Sequence, residues 1–126
     1  MSISNLDQGK RGEDFAASYL LRQGYRIIGR NFRIRGGELD IIAIEWSKLT
    51  GQETLVFIEV KTRSSNDFGT PLEAITYWKL KSLIKTAEFF KLKHRNLPEL
   101  MRIDAVAVRI GLDGELLEIE LVKNIS

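Results

Sequence analysis

A mixed sheet flanked by helices, an α/β (α+β) fold with element order αβββαββ, is what this 126-residue sequence predicts. Two observations carry most of that prediction. First, Gly37-Glu38-Leu39-Asp40-Ile41-Ile42-Ala43-Ile44 and Leu55-Val56-Phe57-Ile58-Glu59-Val60-Lys61 hold apolar residues at both parities, as central strands do when both faces are covered. Second, segments of helical period precede and follow these strands and supply the covers.

The elements follow in order. A first helix is expected from about Gln8 to Gln23, closed by Gly24, since glycine adopts the left-handed conformation that ends helices. Tyr25 to Ile34 reads as a strand running to a turn at Gly36-Gly37. The two core strands come next, joined by a polar connection with Ser47, Thr50, Gly51 and Gln52, and Ser64-Ser65-Asn66-Asp67-Phe68-Gly69 forms a loop after the second. Thr70-Pro71-Leu72-Glu73 then has the form of a capping box with proline at the first helical position, which predicts a long helix from there to His94 or Arg95. Lys91, Lys93 and Arg95 suit the negative end of that helix's dipole. Arg102 to Arg109 is a strand, Gly111-Leu112-Asp113-Gly114 a turn, and Glu115 to Val122 a last strand. There Leu117, Ile119 and Leu121 alternate with acids, the pattern of an edge strand with one wet face.

Composition narrows the function classes. Residues 1–126 suit one domain, and 44% hydrophobic with 29% charged residues is the balance of a soluble globular chain. No apolar run approaches the roughly 18 residues of a membrane helix, and Met1 to Asp7 lacks the basic and apolar regions of a signal peptide. With no cysteine there is no disulfide, thiolate zinc site or cysteine nucleophile. The cytoplasm is the expected compartment. A net charge of +2 permits a polyanionic partner without requiring one. Its distribution is more informative: Arg22, Arg26, Arg30, Arg33 and Arg35 form one group, and Lys79, Lys81, Lys85, Lys91, Lys93 and Arg95 another. Each is either a phosphate-binding surface or a solvated face.

Charges inside the apolar segments point to chemistry. Asp40, Glu59 and Lys61 interrupt the two core strands, and Glu59 and Lys61, two residues apart, face the same side. Buried charges are paired or bind metal. Glu13 shares the inward stripe of the first helix with Ala16, Ala17 and Leu20, and Lys79 lies between Ile75 and Leu83 on the long helix. Asp104, within Ile103-Asp104-Ala105-Val106, is expected to be a salt-bridged structural acid. Phosphodiester hydrolysis needs an activated water, countercharge for the phosphoryl oxygens and help for the leaving oxygen. A hard divalent cation on carboxylates serves all three, and a neighbouring lysine adds positive charge. Asp40, Glu59 and Lys61 therefore read as a metal-dependent nuclease site, and the competing reading is an internal ion pair that holds no metal.

The motifs Gly37-Glu38-Leu39-Asp40-Ile41-Ile42-Ala43, Val56-Phe57-Ile58-Glu59-Val60-Lys61-Thr62-Arg63 and Phe68-Gly69-Thr70-Pro71 closely resemble the YraN-like bacterial family. That family lies in the PD-(D/E)XK, or restriction-endonuclease-like, superfamily and is similar to archaeal Holliday-junction resolvases. The likeness extends to Gly12-Glu13, Gly24-Tyr25, Asn31, Lys79 and Arg102-Ile103-Asp104. It implies Asp40 and Glu59 as Mg²⁺ or Mn²⁺ ligands, the Val60 carbonyl as a third, Glu38 as an additional acid, Lys61 as the catalytic lysine and Glu13 as the first-helix acid. Leu39 stands where the superfamily name has proline. Arg33, Arg35, Arg63 and Lys79 are the candidate phosphate contacts. The implied partner is DNA, branched or otherwise structured, met by a monomer or homodimer and with or without a repair or recombination partner protein. The alternative is a non-catalytic nucleic-acid-binding module, or a partner-interaction domain, that retains the nuclease fold.

Other sites are not supported. His94 is the single histidine and sits among cations, which predicts a solvated helix end and argues against a histidine zinc site or a triad. Gly9-Lys10 lacks the upstream glycine of a P-loop. Trp46, Trp78, Phe89 and Phe90 are expected as core or interface residues rather than base-stacking platforms.

Overall fold

The computed structural model describes residues 4–64 and 71–126. Helix α1 spans Asn5–Arg22. It starts ahead of the expected Gln8 because Ser4, in extended conformation, accepts the Asp7 N–H at 3.2 Å. After α1, Gly24 takes φ +93°, the conformation that lets the chain reverse into the sheet. The strands are β1 (Tyr25–Ile34), β2 (Gly37–Trp46), β3 (Glu53–Ser64), β4 (Leu100–Ile110) and β5 (Leu116–Val122), with α2 (Tyr77–Lys93) between β3 and β4. The expected αβββαββ order is therefore observed.

The sheet runs β1-β2-β3-β4-β5. All neighbours are antiparallel except β3 and β4, which are parallel. A parallel pair needs a crossover, and α2 lies on it. The central strands are buried on both faces, as their unbroken apolar character requires. Ala16 and Leu20 of α1 close over Ile41, Ala43, Val56, Ile58, Val106 and Val108. On the opposite face Leu83, Ala87 and Phe90 of α2 close over Leu39, Ile42, Ile44, Leu55, Phe57 and Ile103. The Phe90 ring meets Phe32 and Phe57 edge-on at 5.1 and 5.9 Å.

Four local expectations are corrected. The long helix begins at Tyr77, not at Thr70, because Thr76 is extended and its hydroxyl accepts the Lys79 N–H at 3.1 Å. Pro71–Ala74 is a separate 3-10 turn, and Thr70 and the loop 65–69 fall outside the described residues. In β5 the expected alternation of Leu117, Ile119 and Leu121 fails at its first member. The register shifts, so that Ile110 faces Leu116 while Arg109 faces Glu118; Leu117 is turned out, and Leu116 packs with Ile119 and Leu121. Of the four aromatics expected in core or interface, Phe90 is in the core; Trp46, Trp78 and Phe89 are exposed, which overturns the core placement for these three and leaves the interface one. The inward stripe of α2 is carried by Leu83, Thr86, Ala87 and Phe90, which turns Trp78 and Phe89 outward, and Trp46 ends its strand beyond the core. His94 is not a free solvated residue. Its ring stacks on Phe90 with centroids 4.0 Å apart, and Nδ1 lies 2.9 Å from the Phe90 carbonyl.

No helix among the described residues is long and apolar enough to cross a membrane.

Candidate active site

The site begins where β2 stops being a regular strand. Residues two apart on a strand share a face, yet Leu39 packs in the α2-side core and Ile41 in the α1-side core. The alternation breaks between them, at Asp40. The same residue marks the end of the β2–β3 ladder, whose last pair on this side is Ile41 with Ile58. Beyond it the Asp40 side chain stands in for the missing strand carbonyl: Oδ2 accepts the Val60 N–H at 2.8 Å. This bond satisfies a buried donor at the fork and locks the carboxylate against β3.

Strand β3 places the second carboxylate. Leu55 and Phe57 face α2, whereas Val56, Ile58 and Val60 face α1. Glu59 and Lys61 therefore continue the α2 side past the end of the apolar cluster. Glu59 is only 4% exposed. Its Oε1 lies 3.7 Å from Lys61 Nζ and 3.8 Å from Lys79 Nζ, the latter sent in from the first turn of α2. Its Oε2 is buried and has no hydrogen-bond partner among the described residues. An unsatisfied carboxylate oxygen in the interior is costly and calls for a function.

Electrostatics agree with the geometry. Burial, reinforced by the neighbouring Asp40 charge, pushes Glu59 up to about 7, and Lys79 and Lys61 offset this only in part. Burial likewise raises Asp40, Glu38 adds to the rise, and the Val60 N–H and both lysines oppose it. The two acids share one fork, and the Asp40 charge opposes ionisation of Glu59.

Glu13 approaches the fork from α1. Burial raises its carboxyl and the Asp40 charge raises it further, while Arg30 opposes both. Arg30 Nη2 lies 3.8 Å from Glu13 Oε1 and 2.8 Å from Asp14 Oδ1. The approach of α1 depends on Gly12, where a Cβ would stand 1.8 Å from Thr62 Oγ1 on β3. Gly12→Ala is expected to destabilise the protein by about 1–3 kcal/mol and to push Glu13 away from Asp40. Thermal denaturation checks the first effect, and an unchanged melting temperature would contradict the contact.

The remaining sequence candidates divide into two groups. Lys61, Lys79 and Arg63 belong to the α2 side, Arg63 by strand parity with Glu59 and Lys61. Arg33 and Arg35 lie on the exposed β1–β2 hairpin, where Arg33 Nε meets Glu38 Oε1 at 3.2 Å. Arg30, which the sequence placed in its arginine group, and Lys10, which it did not single out, line with Glu13, Asn31 and Arg33 a cleft of about 590 Å³ between α1 and β1.

Asp104 behaves as the sequence suggested. It is fully buried and accepts from Arg102 Nε at 2.8 Å, Arg102 Nη2 at 2.9 Å, the Tyr25 hydroxyl at 2.9 Å and the Asn124 N–H at 2.9 Å. Glu45, five residues along β2 from Asp40, takes the same arginine at 2.7 Å and Lys123 at 2.6 Å. This network lies on the α1 face of the sheet, Asp104 pairing with Ile58, and its acceptors are occupied by protein donors.

The donor set at the fork suits a hard divalent cation. Asp40 and Glu59 offer carboxylate oxygen, one atom of it without a hydrogen-bond partner among the described residues. Among the described residues no three Asp, Glu or His side chains close around one point. A site of few protein oxygens is the kind used by Mg²⁺, which keeps several waters.

The sequence profile of the Uncharacterised protein family UPF0102 matches residues 12–108. The chain belongs to UPF0102. This family is the YraN-like group, within the restriction-endonuclease-like superfamily. The matched stretch of the UPF0102 chain contains Glu13, Asp40, Glu59, Lys61, Lys79 and Asp104. A UPF0102 protein of Caldicellulosiruptor saccharolyticus is 43% identical over 122 residues, covering 97% of this chain and 98% of the relative. One from Geobacter metallireducens is 39% identical, covering 98% and 95%, and one from Prosthecochloris aestuarii is 47% identical, covering 86% and 80%.

Proposed function

We propose that this UPF0102 protein is a metal-dependent DNA endonuclease that hydrolyses phosphodiesters in branched or otherwise structured DNA, in cytoplasmic repair or recombination. The observation that carries the reading is the buried Glu59 Oε2, without a hydrogen-bond partner among the described residues, next to a second carboxylate and two lysines. An ion pair by itself gives no reason to leave that oxygen unpartnered.

Asp40, Glu59 and the Val60 carbonyl would hold Mg²⁺ or Mn²⁺, with Glu38 near enough to Asp40 to raise its carboxyl and to contribute through a water. When bound, the cation supplies Lewis acidity toward the phosphoryl oxygens and an acidified water. The protein's own groups do the rest. Water oxygen forms a bond to phosphorus, the ester P–O bond breaks, and the departing oxygen takes a proton, giving a phosphomonoester and a hydroxyl. Lys61 and Lys79, both within 3.8 Å of Glu59 Oε1, place positive charge where the phosphoryl oxygens gain negative charge. Glu13, with its raised carboxyl, is placed to hold a proton beside Asp40. Arg33, Arg35 and Arg63 contact flanking phosphates.

The test is incubation with Mn²⁺ and labelled linear, flap and four-way-junction DNAs, beside Lys61→Ala. Wild type is expected to cut and Lys61→Ala to bind without cutting. Equal cleavage by the variant would remove Lys61 from the mechanism. A protein that binds DNA, cuts none of the substrates and gains no thermal stability from Mn²⁺ would be a binding module.

A further inference from the structure

Two of the largest aromatic side chains in the chain are left in water at the start of α2. Tyr77 is 65% exposed and Trp78 74%. Their rings meet at 5.3 Å and 73°, and Lys81 Nζ stands 5.4 Å from the first ring and 5.9 Å from the second. Trp78, Ser82 and Lys85 succeed one another along one side of the helix. Ser82 Oγ donates to the Gly36 carbonyl at 3.1 Å, which ties that side of α2 to the β1–β2 turn. Between turn and helix lies a cleft of about 470 Å³, lined by Gly36, Trp78, Lys81, Ser82, Ile84 and Lys85 and ended by one acid, Glu88. Arg35 precedes Gly36 in the turn and is also exposed.

This arrangement serves neither the core nor the carboxylate fork. The inward stripe of α2 is complete without Trp78. Yet Trp78 directly precedes Lys79, whose ammonium reaches Glu59. A flat ring, a second ring set against it and cations on both sides together suit one ligand chemistry. Bases stack on aromatic faces regardless of sequence, and lysines follow the phosphates that link them. In duplex DNA the base faces are already stacked on one another, so such a surface selects unpaired nucleotides.

We propose that Trp78 and Tyr77, with Lys81 and Lys85, form a stacking platform for unpaired DNA nucleotides beside the carboxylate fork. The platform deepens the nuclease reading by naming the substrate feature the protein prefers, an unpaired segment next to the bond that is cut. Lys79 joins the two: the platform holds bases on the outer side of the helix while the neighbouring residue points at the fork.

The test uses full-length protein in EDTA, so that binding is read without cleavage. The probes are a 12-mer of oligothymidine and a duplex of the same length. The chain has two tryptophans, and Trp46, at the far end of β2 from Asp40, serves as an internal reference. Oligothymidine is expected to quench the fluorescence of wild type and of Trp46→Phe, but not that of Trp78→Ala. Trp78→Ala is expected to bind oligothymidine about tenfold more weakly, with duplex affinity changed less than about twofold, and Trp78→Phe to recover most of the loss. Lys81→Gln is expected to weaken oligothymidine binding and reduce its salt dependence. Unaltered oligothymidine binding by Trp78→Ala overturns the proposal. So does an equal loss for both probes, or an effect of Trp78→Ala on self-association alone. The two readings fail separately: a protein that binds oligothymidine through Trp78 and cuts nothing keeps the platform and loses the nuclease.

Discussion

Glu59→Gln is expected to make the metal-free protein more stable and its DNA cleavage at least about 100-fold slower. Glu59 is ionised in the unfolded chain above its ordinary value of 4.5, but in the fold it keeps its proton up to about 7. A raised carboxyl binds its proton more tightly in the native state. Its contribution to stability is complete below 4.5 and is lost as pH rises through about 7. Metal-free wild type should therefore lose on the order of 1–3 kcal/mol between pH 4.5 and pH 8 through this group. Glutamine, which never ionises, removes that slope and is the more stable by a similar amount at pH 8. Lys61 and Lys79 keep Asp40 as a neighbouring charge. Urea denaturation of both proteins in EDTA at four pH values measures the effect. Parallel pH profiles would show that Glu59 is comfortably solvated and would remove the reason to place a cation there. Added Mn²⁺ should raise the wild-type melting temperature, more at pH 8 than at pH 6, and raise the variant's much less.

The second large effect belongs to the other face of the sheet, where Asp104 pairs with Ile58 of the α1-side core. Arg102→Ala is expected to destabilise the protein by about 3–5 kcal/mol, because it strands the fully buried Asp104 without its countercharge. Glu45 would also lose its 2.7 Å partner there. The cost lies in burying an uncompensated charge more than in the value of the pair itself, so Arg102→Met combined with Asp104→Leu should recover most of it. Tyr25→Phe, which deletes one of several donors to Asp104, should cost only about 1 kcal/mol. Denaturation midpoints decide this. A double variant as unstable as Arg102→Ala would mean that the network is held by shape and not by charge. DNA cleavage per folded molecule should be unchanged in all three, since none of these residues touches the fork.

Much of this architecture was legible in the sequence because it rests on local rules. Unbroken apolar runs gave β2 and β3 their central places. Gly24 closed α1 by its positive φ, and the Glu59-Val60-Lys61 parity put acid and lysine on one side. The stripe through Glu13, Ala16, Ala17 and Leu20 correctly anticipated an acid carried inward. Where local rules competed, reading failed. Thr70-Pro71 and Thr76 both offer helix starts, and the extended conformation of Thr76 lets its hydroxyl cap α2. In β5 a register shift decided by pairing with β4 overrode the apolar alternation at Leu117. Trp78 looked like a core residue because tryptophan usually is one, yet helix phase turns it outward.

By itself, then, the sequence determined the element order, the two buried strands and the charges they carry, since periodicity and side-chain chemistry need no partner to be read. The tertiary structure alone decided what those charges do. Asp40 became a site residue when β2 forked from β3 and its carboxylate took the Val60 N–H. Glu59 gained a raised proton affinity when folding buried it beside Asp40, an effect that Lys79, delivered by α2, offsets only in part. Both effects depend on burial and on distances between residues far apart in the chain, and those are set only when the helices pack on the sheet.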